Sequence, residues 1–250
     1  QVSLVAAKRI ILNKTEELQR IIAGRDKLYS VIAHDLRSPM GSIKMVLNML
    51  MLNLPVEKIG GEMYELLTMA NRTTEDVFSL LDNLLKWTKS QIGNLNVVYQ
   101  DVDAVEVVDS VIDVFNMVAG LKKITIREEK PEKLPVCTDI DMLKTIIRNL
   151  LSNAIKFSNE NSEVLVKMEE QGDTVVVSVK DSGCGIDEEG QKKLLHTDTH
   201  FSTFGTNNEE GSGLGLLLCQ DFAVKSGGKL WFTSKKGEGS TFYFSIPLKK

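Results

Sequence analysis

The apolar positions fall into two regimes. Over the first ~95 residues they recur at helical spacing. Tyr29, Ile32, Leu36, Pro39, Ile43, Val46 and Leu50 follow one another in alternating steps of three and four, and an imperfect continuation runs upstream through Leu18 and Ile22. Such a heptad stripe keeps one apolar seam facing a partner helix. Leu54-Pro55 and Gly60-Gly61 break the pattern. Met63, Leu67, Ala70, Thr74, Val77, Leu81, Leu84 and Thr88 then repeat the same rhythm. The expectation is a helical hairpin. One hairpin cannot bury both faces alone, so dimerisation into a four-helix bundle is the economical solution.

Beyond Gly93-Asn94, where the domain boundary is drawn, glycine and β-branched residues increase and the pattern alternates. Helices are expected at Val102 to Ala119, at Asp139 to Phe157 with Asp139 as cap, at Asp187 to Leu195 and at Gly213 to Ser226. Strands are expected at Lys123 to Glu128, Val164 to Glu169, Thr174 to Lys180, Lys229 to Ser234 and Ser240 to Pro247, with a turn at Gln171-Gly172-Asp173. His196 to Ser212 reads as a loop of unusual length, which points to function or mobility.

Composition narrows the class. Of 250 residues, 42% are hydrophobic and 26% charged, as in a core-forming protein. Thirty basic against 34 acidic residues leave a net charge of −4, so no basic excess argues for nucleic acid. The longest apolar run falls far short of the ~20 residues of a membrane span. Residue 1 is not Met, and a fragment of a longer protein is expected. Cys137, Cys184 and Cys219 form no CxxC pair, which fits a reducing compartment.

His34 stands two positions from Ile32 and from Leu36, so at ~100° per residue it lies about 200° from the seam and faces solvent. An exposed imidazole is neutral for much of the time at pH 7. An adjacent carboxylate, here Asp35, can hold its other ring N–H and take a proton, which makes the ring a usable nucleophile. Pro39 removes a backbone donor and should bend or loosen the helix below it. Alone, an exposed helical histidine is unremarkable.

Downstream, Asn149, Asn153 and Lys156 share one helix face at i, i+4 and i+7, followed by Phe157. Amide oxygens suit a hard cation and an ammonium suits phosphate, although the bland reading is a solvated polar face. Asp181-Ser-Gly183-Cys-Gly185-Ile186 follows a strand, where glycines admit close backbone approach and Asp181 can accept from an exocyclic amine. Gly211-Ser212-Gly213-Leu214-Gly215-Leu216 opens a helix, whose free N–H groups bind phosphate. Gly237-Glu-Gly239-Ser-Thr241 precedes the last strand, where a plain turn would suffice to explain it. Neither a Walker A loop, nor a Rossmann fingerprint in its proper place, nor an HRD and DFG pair is present. His196 and His200 are four apart, but two histidines without a nearby cysteine or placed carboxylate rarely hold a metal.

The string Ser30-Val-Ile-Ala-His34-Asp35-Leu-Arg37-Ser38-Pro39 resembles the H box of sensor histidine kinases. The later motifs, in order, resemble the N, G1, F and G2 boxes of the GHKL ATP-binding superfamily. The resemblance spans residues ~25 to 248. It implies a dimeric four-helix bundle followed by a GHKL-type α/β sandwich. Residues 1–24 are then a signalling helix, 25–93 a dimerisation and phosphotransfer domain, and 94–250 a catalytic ATP-binding domain that swings on a hinge near Gly93-Asn94. It further implies that His34 takes phosphate from ATP and that Asp35 orients or deprotonates it. In the family a Thr or Asn often stands where Ser38 stands and positions water for removing phosphate from a partner; Ser38 departs from that pattern.

The same resemblance makes Asn153 the Mg²⁺ ligand with Asn149 close by, Lys156 a phosphate contact and Phe157 a wall of the base site. Asp181 reads the adenine amine. Gly183, Gly185, Gly211, Gly213 and Gly215 shape the pocket, with Ile186, Ser212 and Leu214 in the same boxes. Leu216 and Thr241 lie near the base, and Phe201 and Phe204 in the ATP lid. Many relatives carry an Arg after the lid aromatic; Phe201-Ser-Thr-Phe204-Gly-Thr206 has none. The implied partner is a response-regulator receiver domain, whose Asp takes the phosphoryl group. The implied setting is the bacterial cytoplasm, with membrane tethering only through segments outside this chain. Three other readings stay open: a clamp-type GHKL ATPase, a dimeric scaffold whose nucleotide site only regulates docking, and a bare coiled-coil interaction protein.

Overall fold

A computed structural model describes residues 2–54, 59–91, 97–194, 205–206 and 213–248. The chain divides into two compact units, Gln1–Asn96 and Val97–Lys250.

The first unit is a helical hairpin of α1 (Val2–Asn53) and α2 (Gly61–Gln91). The face of α1 that meets α2 is narrow. Ala33 is fully buried with Leu81 and Leu85, and Met40, Val77 and Leu84 pack around them. Arg37 pairs with Asp82 and Lys44 with Glu75 (3.3 Å), so ion pairs flank the apolar contact. The second half of the α2 stripe faces this contact, with Thr74, Leu81 and Thr88 buried, whereas Met63 and Ala70 at its start are exposed. The α1 seam does not. Tyr29, Ile32, Leu36, Ile43, Val46 and Leu50 are exposed. The heptad of α1 therefore marks a face that α2 leaves uncovered, and the intrachain contact uses positions one or two residues away. Pro39 lies inside α1, and the helix continues through it. The proline removes the N–H that would bond the Asp35 carbonyl, but one missing bond does not stop a helix held by packing on both sides.

The second unit is a two-layer α/β sandwich. Its elements are β1 (Gln100–Asp103), α3 (Ala104–Leu121), β2 (Thr125–Glu129), β3 (Pro135–Thr138), α4 (Ile140–Phe157), β4 (Glu163–Gln171), β5 (Thr174–Lys180), α5 (Glu188–Lys193), α6 (Gly215–Lys225), β6 (Leu230–Lys235) and β7 (Gly239–Pro247). The main sheet has the order β2-β4-β5-β7-β6. Only β2 and β4 are parallel, joined by a crossover that contains α4, and the remaining pairs are antiparallel. Helix α4 lies between α3 and α6 and rests on β5. Its periodic face, from Met142 and Leu143 through Leu150, Leu151 and Ile155, is buried, as are Val164, Val166, Val177, Phe244 and Ile246 of the sheet.

Local chemistry sets the boundaries. Asp139 caps α4, with Oδ1 accepting from Asp141 N and Met142 N, and its Oδ2 accepts from Val98 N at 2.9 Å. The expected helix from Val102 starts later, at Ala104. Asp103 caps it through Val105 N, and Gln100–Asp103 pairs instead with Pro135–Thr138 as a small antiparallel ribbon. The expected strand from Lys123 starts at Thr125, because Lys123 takes φ +55° and turns the chain. No helix among the described residues is long and apolar enough to cross a membrane.

Candidate functional site

On α1, His34 and Asp35 are both strongly exposed (side chains 79% and 71%), and His34 Nδ1 lies 3.1 Å from Asp35 Oδ1. Ser38 is exposed one turn on, and its carbonyl accepts from Ser42 Oγ at 3.2 Å. The ring points outward because its neighbour Ala33 is the residue that α2 covers.

The second unit brings most of the other predicted residues to one end of the sheet and helix layers. Asp181, directly after β5, is 4% exposed. Its Oδ1 accepts from Gly183 N (2.9 Å) and Ser240 N (3.1 Å), and its backbone N–H bonds Ser240 O. Oδ2 has no hydrogen-bond partner among the described residues. Burial pushes this carboxyl above the ordinary Asp range, and the two backbone N–H groups offset part of that. The result is a desolvated acceptor with one oxygen fixed and the other uncommitted.

The glycines around it are there because backbone passes too close for a side chain. A Cβ on Gly183 would overlap the Phe157 carbonyl oxygen, and one on Gly239 would overlap the Asp181 carbonyl. Gly185, at φ +61°, abuts Lys235 in the same way. The Gly237–Thr241 segment is thus more than a turn: it delivers the Ser240 amide to Asp181, while Thr241 is half-buried between Lys180 and Thr233. Ile186 N bonds Ser234 Oγ at 2.8 Å, which fixes the end of the 181–186 loop.

Asn149, Asn153, Lys156 and Phe157 are half-buried along α4, as their spacing predicts. Asn149 Nδ2 donates to Thr145 O at 2.9 Å, and its Oδ1 stands 2.5 Å from where a Gly215 Cβ would be. Asn153 makes no side-chain hydrogen bond among the described residues. Lys156 Nζ lies over the Phe157 ring, 4.8 Å from its centroid. Helix α6 begins at Gly215 without a side-chain cap, after Leu214 and a Gly213 at φ +68°, and Leu216 is half-buried in its first turn. The first turn of a helix presents N–H groups and the positive end of the helix dipole.

Phe201, Phe204, Gly211, Ser212, His196, His200 and the Gly93-Asn94 joint lie outside the described residues. Among the described residues no group of three or more metal-binding side chains gathers. Three contributors carry no sequence signature of their own: the Ser240 backbone amide, Lys122 buried beneath the end of α4, and Thr206, whose backbone N–H bonds Lys156 O at 3.1 Å.

Residues 138–250 match the family described as histidine kinase-, DNA gyrase B-, and HSP90-like ATPase. The adaptive-response sensory kinase SasA of Crocosphaera subtropica is 29% identical over 93% of this chain and 62% of its own length. The sensor protein KdpD of Clostridium acetobutylicum is 33% identical over 97% of this chain and 27% of its own. The chain thus spans about three fifths of the SasA protein it matches. Among solved structures, the nucleotide-free catalytic domain of the histidine kinase ThkA is 29% identical, with TM-score 0.53 over 60% of this chain and 96% of that domain. Full-length ShkA in complex with AMPPNP has TM-score 0.68 at 21% identity, covering 90% of this chain and 46% of its own, a likeness of fold. Residues 138–250 thus resemble the histidine kinase-, DNA gyrase B-, and HSP90-like ATPases, and nearly the whole chain is similar to the sensory kinase SasA and the sensor protein KdpD.

Proposed function

We propose that this chain is the catalytic core of a two-component sensor histidine kinase, which uses ATP to phosphorylate His34. The observation that carries the reading is the exposed imidazole with Asp35 Oδ1 3.1 Å from Nδ1. With the Nδ1 proton directed at Asp35, Nε2 keeps its lone pair. Nε2 attacks the γ-phosphorus of ATP, the bond to the bridging oxygen breaks, and ADP leaves with the electron pair. Asp35 stabilises the cationic ring and takes up the Nδ1 proton. Such a transfer depends on positioning and charge neutralisation more than on covalent help.

In the second unit, the uncommitted Oδ2 of Asp181 accepts from the adenine amine, with Gly183, Gly185, Ile186, Phe157, Leu216 and Thr241 around the base. Lys156, Asn149 and the amides at Gly213, Leu214 and Gly215 attend the phosphates; Gly211, Ser212 and Phe204 join this set on the sequence resemblance. Mg²⁺ fits Asn153, whose carboxamide oxygen is a hard donor without a protein partner among the described residues. When bound, the cation neutralises phosphate charge. Ser38, one turn from His34, departs from the family's Thr or Asn, and removal of phosphate from a partner is no part of the proposal.

The exposed heptad face of α1 supports homodimerisation into a four-helix bundle. The phosphoryl group then passes to an Asp of a response-regulator receiver domain. Action in the cytoplasm, with tethering to the inner membrane by other segments, completes the proposal. The test is incubation with γ-labelled ATP and Mg²⁺. Wild type should gain acid-labile, base-stable label, and His34→Gln none. Label persisting in His34→Gln, or phosphate release without any labelled protein, would reject the assignment.

A further inference from the structure

Lys122 is 7% exposed, in the turn that closes α3. Its sequence setting, Leu-Lys-Lys-Ile, suggests nothing but a solvated pair of cations. The side chain turns inward instead. Nζ donates to Ile155 O (3.0 Å), Lys156 O (2.9 Å) and Thr206 Oγ1 (2.6 Å). A buried ammonium is expensive unless fixed acceptors replace its water. Here the negative end of the α4 dipole supplies them.

The effect is a full accounting of the last α4 carbonyls, which have no partners within the helix. Ile155 O takes Lys122, and Lys156 O takes Lys122 and the Thr206 backbone. Phe157 O takes Cys184 N at 3.3 Å, and Ser158 O takes Thr206 Oγ1 at 2.7 Å. The turn held in this way carries Lys156 and Phe157, with Asn153 just before it. The oxygen fixed by Asp181 depends on different groups, Gly183 N and Ser240 N.

We propose that Lys122 is a positioning residue for nucleotide phosphates: it locks the C-terminal turn of α4 so that Lys156 and Asn153 meet the triphosphate. The inference rests on the nucleotide reading above and goes beyond it, because Lys122 itself touches no nucleotide. It separates two parts of the affinity. The base is recognised chiefly through Asp181 and meets this turn only at Phe157, so it should depend on Lys122 far less than the added affinity of the phosphates does.

The experiment titrates the 250-residue chain with adenosine and with Mg-ATP by calorimetry, in wild type, Lys122→Met, Lys122→Arg and Thr206→Val. Lys122→Met should weaken ATP binding about tenfold and leave adenosine within about twofold, since a charge-assisted contact is lost on the phosphate side alone. Lys122→Arg, which keeps the charge, should recover part of the loss. Thr206→Val removes one acceptor at an exposed position and should give a smaller drop of the same kind. Equal weakening of both ligands, or an unchanged ratio of ATP to adenosine affinity in Lys122→Met, overturns the proposal. If Lys122→Met fails to fold, an unchanged ratio in Thr206→Val overturns it. Wild-type protein that binds neither ligand overturns the nucleotide reading and this inference with it. Wild type that binds both, with the ratio intact in the variants, overturns this inference alone.

Discussion

Asp181→Asn changes one oxygen to an NH₂ group and almost nothing else. The amide oxygen can stay where Oδ1 now accepts from Gly183 N and Ser240 N, so the loop keeps its geometry. The NH₂ then occupies the place of Oδ2 and presents a donor where the proposed adenine amine is also a donor. A hydrogen bond to a charged acceptor contributes about 1.5–3 kcal/mol. At about 1.4 kcal/mol per decade, its loss weakens adenosine binding about 10- to 150-fold. Stability should move the other way. The carboxyl is raised above its usual value because burial penalises the charge more than the two backbone bonds favour it. Near neutral pH the ionised side chain therefore costs the fold something that a neutral amide does not.

The same shift sets a pH dependence. Bound adenosine favours the ionised form, so acidification should weaken binding as Asp181 takes up a proton, beginning at a pH above its ordinary 3.8. In folding, the raised group favours the native state at low pH, and that contribution is lost as pH rises through the folded-state value. Asp181→Asn should show neither limb. Calorimetric titration with adenosine and inosine, across pH, gives the answer. Inosine carries an oxo group in place of the amine, so the variant should gain relative preference for it. An Asp181→Asn protein that folds and keeps the wild-type ratio of adenosine to inosine affinity would refute the assigned role.

Other expectations are quicker to check. Gly183→Ala forces a methyl into the Phe157 carbonyl, and the resulting overpacking should destabilise the second unit by about 1–3 kcal/mol in chemical denaturation. Asp139→Ala removes the α4 cap and the grip on Val98 N; a loss of about 1–2 kcal/mol is expected in the same assay. Exposed Cys137 and Cys184 should react with a thiol reagent in the native protein. Cys219 is fully buried and its thiol is pushed up by desolvation, so it should react only on unfolding, and a third fast thiol would contradict its packing.

Much of the second unit was legible because its signals are local. Thr174–Lys180 is a β-branched run between a Gly-containing turn and a glycine loop, and Asp139 is a capping residue before a strongly periodic stretch. The ribbon of Gln100–Asp103 and Pro135–Thr138 was not legible, since each strand is four residues long and its pairing is settled only by a partner about 35 residues away. On α1 the period was legible but its partner was not: a heptad states that a face wants cover, not which chain provides it. In the candidate site, side chains such as Asp181 and Asn153 announce themselves by type and spacing. Ser240 contributes through a backbone amide and Lys122 through a tertiary contact, and neither leaves a mark in the sequence.

Ala33 has no surface left open, while the side chain of the residue after it is strongly exposed. A methyl group enclosed on every side acts as a detent on the roll of α1 about its axis. Turning α1 by itself would pull that methyl out of its seat against Leu81 and Leu85 and drive a larger side chain into the gap. A roll of α1 that re-aims the imidazole must then carry α2 along with it, so a torque on that helix arrives at His34 as a displacement of the pair.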